Sequence, residues 1–313
     1  RNKQNGVYNI CSGYPIKLKD LVKKILIKKN KKIKLNLGYY SYPKYEAMRF
    51  WGNRDIGEQI YLPSTPNSPL KNKKSKQTLA PLTLRYNENL KFLENEAFDE
   101  SKINYDKNYD NSQSYSEEFK KHMLIVFKKI KKHLQKNSKI VEVGCGQGHF
   151  IDLIVKNSNY DVTGFDTSYK GESRLIKKRY LSLKDKISSD MIILRHVLEH
   201  IPKPHEFLLL IKSIFKKSKI YIEVPEYNWI RKNEAFFDIT YEHVNYFTQT
   251  TLNKLFKGKK EQGLLFKKQY QYIIANIENL NEKFKSDYYS KRWEYKSFEN
   301  LFPNTVNKIE KIK

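Results

Sequence analysis

The sequence predicts an α/β protein built on a doubly wound, mostly parallel sheet, and three observations carry that expectation. From about residue 113 to 260, short apolar runs of strand length alternate with longer amphipathic runs, the pattern of a parallel sheet covered on both faces. The run Lys139-Ile-Val-Glu-Val-Gly-Cys-Gly-Gln-Gly-His-Phe150 leads a strand into a glycine-rich turn and then into the apolar start of a helix, IDLIV. A second strand, YDVTGFD, ends on an acid, Asp166.

Residues 5–53 read as a strand (GVYNICSG), a helix (KLKDLVKKILIKKN), a strand (KKIKLNLGYY) and a loop containing proline, YPKYEAMRFWGN. Residues 54–112 are rich in Pro, Asn, Lys, Ser and Asp with little apolar periodicity, and PSTPNSPLKNKKSK reads as a linker. In the zone 113–260, IVEV and YDVTGFD are followed by a strand in DMIIL, a helix in HEFLLLIKSIF and a strand in KIYIEVPEYNWI. Residues 261–313 are charged and aromatic, with a strand in QYQYIIANI and helices after it. The expected division is therefore an N-terminal α/β fragment over 1–53, a linker and Tyr/Ser-rich lead-in over 54–112, the sheet domain over 113–260, and a partial C-terminal extension over 261–313. The chain begins at Arg1 and ends at IEKIK in mid-pattern, so both ends read as cut.

At 313 residues with 39% hydrophobic content, the chain is long enough to bury a sizeable core. Its formal net charge of +26 invites a nucleic-acid reading. The cations are mostly Lys, however, and lie scattered through stretches such as VKKILIKKNKKIK, whereas phosphate and base-edge recognition draws on the forked guanidinium of Arg. A general Lys and Asn bias accounts for the charge better, and an anionic small substrate such as a nucleotide sugar fits it equally well, so no nucleic-acid partner is expected. No apolar run approaches the ~18–20 residues needed to span a bilayer, and no signal-peptide pattern opens the chain, which gives a cytoplasmic expectation. Cys11 and Cys145 lie far apart and form no CxxC pair, excluding a disulfide framework or a zinc ribbon.

The glycine turn carries the chemistry. Gly144, Gly146 and Gly148 allow a sharp turn and let a ligand approach the backbone without Cβ atoms in the way. The spacing is GxGxG, not the GxGxxG of dinucleotide binders, and no Lys-Ser/Thr pair follows as in a triphosphate loop. Glu142 precedes the first glycine by two residues, and Asp166 stands where an acid accepts hydrogen bonds from both ribose hydroxyls of a nucleoside. This segment resembles the class I S-adenosylmethionine-dependent methyltransferases, whose first motif is an acid followed by GxGxG and whose second is an acid ending the second strand. The resemblance implies a Rossmann-like methyltransferase sheet, S-adenosyl-L-methionine as cofactor, Glu142, Gly144, Gly146 and Gly148 around its methionine moiety, and Asp166 on its ribose. NAD-dependent dehydrogenases share the topology, but the missing spacer residue counts against them.

In such folds ligands sit outside the carboxyl ends of the strands. DMIIL delivers Arg195 and His196 there; VLEHI follows; the next strand ends in Glu223, Pro225 and Glu226; then comes DITYEHVNYFT, residues 238–248. Arg195 joins the expected cofactor-binding set, and Glu223 and Glu226 the substrate-binding set. RHVLEHIPKPHEFL, IYIEVPEYNWI and ITYEHVNYFT, with YDKNYDNSQSYSEEFKKHM ahead of them, resemble the sugar C-methyltransferases that act on a nucleotide-linked keto-sugar. The resemblance runs from about residue 90 to 275. Two features of those enzymes differ here: the small cysteine-ligated zinc module has no cysteines to build it, and the further C-terminal α/β domain is represented at most by its start.

The chemistry makes sense of His243. A carbon beside a ketone is deprotonated when a positioned base takes its proton and the enolate oxygen is stabilised, and histidine titrates in the right range. Glu242 is then the residue to orient the imidazole or stabilise the enolate, with His196, Tyr109 and Tyr115 as further candidates for the second role. For His196 and His200, packing of the HVLEHI turn is as good a reading as function, and Tyr241 and Tyr246 read as packing beside His243. Finally, VYNICSGYPIKLKDLVKKI and YPKYEAMRFWGN resemble the C-terminal end of nucleotide-sugar epimerases and dehydratases of the extended short-chain dehydrogenase group, with Arg49 placed for a phosphate. Their glycine turn and Tyr-x-x-x-Lys pair are absent, so the piece adds a substrate class and no chemistry. Two other functions remain open at this stage: O- or N-methylation of a sugar or other small metabolite, and a basic binding protein without activity.

Overall fold

The computed structural model describes residues 18–30, 60–64, 79–103, 116–289 and 293–305. The expected strands GVYNICSG and KKIKLNLGYY, and with them Arg49, Tyr109 and Tyr115, lie outside the described residues. Helix α1 (Leu18–Lys28) matches the helix expected in the N-terminal fragment. Strands β1 (Ile60–Pro63) and β2 (Leu79–Leu82) pair antiparallel. Next come β3 (Leu84–Asn87) and β4 (Phe92–Asn95), so the lead-in read as linker contributes regular strands.

Helix α2 (Glu117–Lys131) shows how local sequence sets an element. Ser116 caps it by accepting from the Phe119 amide at 3.4 Å, and acids in its first turn and lysines in its last complement the helix dipole. Phe119, His122, Met123, Val126, Phe127 and Ile130 recur at helical spacing and form its buried face. Strand β5 (Lys139–Val143) runs through the glycine turn into α3 (His149–Asn157), then β6 (Asp161–Phe165) and the short β7 (Ile176–Lys177). After these come β8 (Met191–Arg195), α4 (Pro204–Phe215), β9 (Lys219–Pro225), α5 (Tyr227–Lys232), β10 (Asn245–Tyr246) and α6 (Gln249–Leu255). The described chain ends with β11 (Lys260–Leu265), β12 (Tyr270–Asn276), α7 (Lys283–Tyr288), β13 (Trp293–Tyr295) and α8 (Phe298–Leu301).

Among the described residues seven strands form the main sheet, in the order β11-β12-β9-β8-β5-β6-β7. The pairs from β9 to β7 are parallel, and β12 and β11 add antiparallel strands at one edge. The sheet thus continues past residue 260, where the sequence placed the end of the domain, through Asn276. Strand alternation sorts its side chains between two cores. Val141, Ile192, Leu194, Ile220 and Ile222 pack with Leu208, Ile211, Leu252 and Leu255 of α4 and α6. Ile140, Met191, Ile193, Tyr221 and Ile274 pack with the buried faces of α2 and α3. A second sheet, β10-β4-β3-β13, is antiparallel throughout and packs a third core with α5 and α8. Among the described residues no helix is long and apolar enough to cross a membrane.

Candidate active site

The chain reverses direction across the sheet between β5 and β8, which are neighbours although two strands separate them in sequence. Such a switch point opens a crevice at the carboxyl ends, and the glycine turn stands there. Gly144, Gly146 and Gly148 have φ of +72°, +55° and +81°, a region costly to any side chain, which explains the three glycines. A Cβ on Gly144 would meet Val197 Cγ2 at 2.4 Å and one on Gly148 would meet Ile176 Cδ1 at 2.5 Å, whereas one on Gly146 would meet nothing within 4 Å among the described residues. The loop is packed at its two ends and faces open space at its centre.

Two acids adjoin the loop, Asp166 bonded to it and Glu142 two residues ahead of its first glycine. Asp166, just past β6, accepts from the Gly146 amide through Oδ2 (2.8 Å) and from the Ser168 amide and hydroxyl through Oδ1 (both 2.7 Å). It ties the glycine loop to the next strand end, and Oδ2, with one donor from Gly146, retains a further acceptor lone pair. Glu142 is only 2% exposed, and its Oε2 has no hydrogen-bond partner among the described residues. Burial, opposed by Arg195 and reinforced by Asp166 and Glu223, lifts its carboxyl to about 7. An open cradle at Gly146, a ribose acceptor and an orphaned buried carboxylate oxygen suited to an ammonium group together fit S-adenosylmethionine.

Arg195 and Glu223, expected on the rim, are buried instead at 9% and 0% exposure. Alternation puts them, with Glu142, on the sheet face that α2 covers. Glu223 Oε1 lies 3.0 Å from His122 Nε2, 3.3 Å from His196 Nε2 and 3.5 Å from Arg195 Nε, and its Oε2 accepts from the Tyr221 hydroxyl at 2.6 Å. Burial disfavours charge on Glu223, but His122, His196 and Arg195 outweigh it and hold the carboxyl well below the usual range. The Arg195 guanidinium lies over the Phe150 ring at 4.4 Å. His122 is a member of this hub that sequence reasoning missed; its signal was a histidine on the apolar stripe of α2. Glu226 caps α5, accepting from the Trp229 amide (2.6 Å) and the Asn228 side chain (3.1 Å), so its carboxylate is engaged in local structure.

His196 has φ +53° and stands between Glu199 (Nδ1 to Oε1, 3.5 Å) and Glu223. Burial opposes its charge, yet the two glutamates outweigh it and raise its imidazolium to about 9. The turn continues to His200, which burial and then His243 push down to about 4. The rings of His200 and His243 meet edge to face, centroids 4.9 Å apart. Each turns Nδ1 to a backbone carbonyl: His200 to Glu242 O at 2.9 Å, His243 to Asp238 O at 3.1 Å. A carbonyl only accepts, so Nδ1 carries a proton in both, and in the neutral ring Nε2 is the nitrogen with the lone pair. The hydrogen bond that orients His243 is therefore donated to the Asp238 carbonyl, while the Glu242 carbonyl accepts from His200. Tyr241 and Tyr246 are fully buried and bond backbone groups, Asp99 N to the first hydroxyl at 2.7 Å and the second hydroxyl to Thr240 O at 3.1 Å, as expected of packing residues. Asn245 donates to Leu198 O (3.2 Å) and Ile201 O (2.6 Å), clamping the HVLEHI turn to β10.

Residues 114–259 match a family model described as a methyltransferase domain. No curated protein matches the chain. Similar solved structures include a SAM-dependent methyltransferase from Archaeoglobus fulgidus (19% identity, TM-score 0.39, covering 53% of this chain and 100% of that one). The plantazolicin methyltransferase BpumL, solved with SAH and a triazolic desmethylPZN analog, gives 19% identity, TM-score 0.39 and covers 53% of this chain and 74% of that one. The small RNA methyltransferase HEN1 gives 14% identity, TM-score 0.41 and 56% and 26% coverage. With the glycine loop and its acids in place at the switch point, residues 114–259 form a methyltransferase domain, and the chain is an enzyme that uses S-adenosylmethionine.

Proposed function

We propose that this enzyme is a C-methyltransferase acting on a nucleotide-linked deoxy-keto-sugar, with His243 as the base. The observation that carries the reading is the pairing of His243 with Asp238 O, which leaves the Nε2 lone pair available in a stretch clamped to the turn that abuts the glycine loop. When bound, the cofactor supplies an electrophilic methyl group on a sulfonium. Glu142, Gly146 and Asp166 hold it. His243 Nε2 would take the proton from the carbon beside the ketone, leaving that carbon's electron pair as the nucleophile for the methyl group the cofactor would supply. His243 then returns its proton to solvent.

The test uses a nucleotide-linked keto-sugar in deuterated water with S-adenosylhomocysteine in place of the donor. Wild-type protein should wash deuterium into the α position, and His243→Gln should not, while its affinity for S-adenosylhomocysteine stays unchanged. Methylated product formed by the wild type without α exchange would point to an oxygen or nitrogen acceptor instead. Full turnover by the variant would remove His243 from the role of base.

A further inference from the structure

Glu199, His200 and His243 each bring one ligand atom into a group whose atoms all lie within 4.8 Å of one another. The three come from two stretches that are far apart in sequence and held together by the Asn245 clamp. Glu199 is 1% exposed, and neither of its carboxylate oxygens accepts a hydrogen bond among the described residues; His196 Nδ1 lies 3.5 Å from Oε1. Burying a carboxylate with unfilled acceptor sites is costly, and such sites are usually filled by donors or a metal.

The histidines are set in the manner of metal ligands. A ligating histidine commonly donates its other ring N–H to a carbonyl, which fixes the tautomer and aims the lone pair. His200 does so to Glu242 O and His243 to Asp238 O. Two imidazoles and one carboxylate suit first-row transition cations; magnesium and calcium take oxygen-rich sets. We propose that Glu199, His200 and His243 form a binding site for a divalent transition cation of the manganese-to-zinc series.

The site does not rest on the methyl-transfer reading, and it bears on it. Cation and substrate proton compete for the same lone pair of His243, so a loaded site blocks the base. The experiment takes the intact chain without a histidine tag, strips it with a chelator, and titrates it with Co2+ while following the visible ligand-field absorption; Zn2+ is then added to displace the cobalt. One Co2+ per chain is expected, with affinity lowered at least about tenfold in Glu199→Gln and in His243→Gln, and unchanged in His133→Gln, whose ring pairs with Glu261 elsewhere. Circular dichroism and S-adenosylhomocysteine binding confirm that each variant is folded. Equal Co2+ affinity in folded Glu199→Gln and wild type, or no site-bound spectrum in the wild type, would overturn the proposal. Inhibition of turnover by the cation supports both the site and the base; a gain in turnover on loading supports the site and removes the base role from His243.

Discussion

Glu142→Gln tests the reasoning about the cofactor cradle most directly. The carboxyl lies 2% exposed with an oxygen that lacks a donor, and burial lifts it from 4.5 to about 7, against the pull of Arg195. Below 4.5 the group is neutral both folded and unfolded, so it contributes no pH dependence. Between 4.5 and about 7 the unfolded chain gives up the proton first, and the folded state is penalised progressively; above 7 both states are charged and the penalty is constant. The 2.5-unit difference corresponds to about 3 kcal/mol of stability lost across that window. Glutamine cannot ionise, so the difference in unfolding free energy, variant minus wild type, should rise by about 3 kcal/mol between pH 4.5 and 7.5, whatever constant offset the amide introduces. Urea titrations of both proteins without cofactor, at half-unit pH steps, give the difference curve. S-adenosylhomocysteine carries an ammonium group that favours the charged carboxylate, so its binding to the wild type near pH 6.5 should release a proton, detectable by calorimetry in buffers of different ionisation enthalpy. The variant should bind more weakly and release none. A flat difference curve, or equal proton release by both proteins, would refute the assignment of Glu142 as the buried acid facing the cofactor.

Two further outcomes follow from the geometry. Gly144→Ala drives a Cβ into Val197 at 2.4 Å and should cost several kcal/mol in urea unfolding, whereas Gly146→Ala, at φ +55° with nothing within 4 Å, should cost only about 1–2 kcal/mol yet abolish S-adenosylhomocysteine binding; similar stability losses in the two would contradict the cradle. For His196, raised to about 9, the stabilisation is fully present below the ordinary histidine value of 6.5 and is lost as pH rises through 9, so wild-type stability should fall by at most about 3 kcal/mol more than that of His196→Gln between pH 6.5 and 10. Parallel alkaline declines would count against the two-glutamate cage.

How much of this was legible depends on which physical signal each part carried. The strand, glycine turn and helix from Lys139 to Asn157 were readable because backbone conformation there leaves little choice of residue: three positive φ angles demand three glycines. The burial of Arg195 and Glu223 was readable in principle and was not read. Period-two alternation from Met191 through Ile193, and from Tyr221, puts both on the face where α2 lies, but a charged residue at a strand end invites a rim position, and only the covering His122 shows where the charge goes. The second sheet was beyond the sequence: β3 and β4 are four residues each, rich in polar side chains, and Glu94 and Asn95 are buried only through partners such as Arg85, which binds Glu94 from the neighbouring strand.

That second sheet changes what the site is made of. Its strand β10 is the end of the stretch that carries His243, and it pairs with Leu93 and Glu94 of the lead-in. Thr248, which ends the same stretch, caps α6 and donates to Lys91 O at 2.9 Å, and Gln271 of β12 donates to Phe247 O at 2.6 Å. The position of His243 is therefore set from three sides: by the Asn245 clamp to the HVLEHI turn, by β4 ahead of the matched domain, and by β12 behind it. The glycine loop meets the same turn at Val197. Residues 114–259 contain the groups proposed to react, but their alignment belongs to a larger unit, and trimming the chain to the matched residues removes β4 and β12 and with them two of the three restraints on His243.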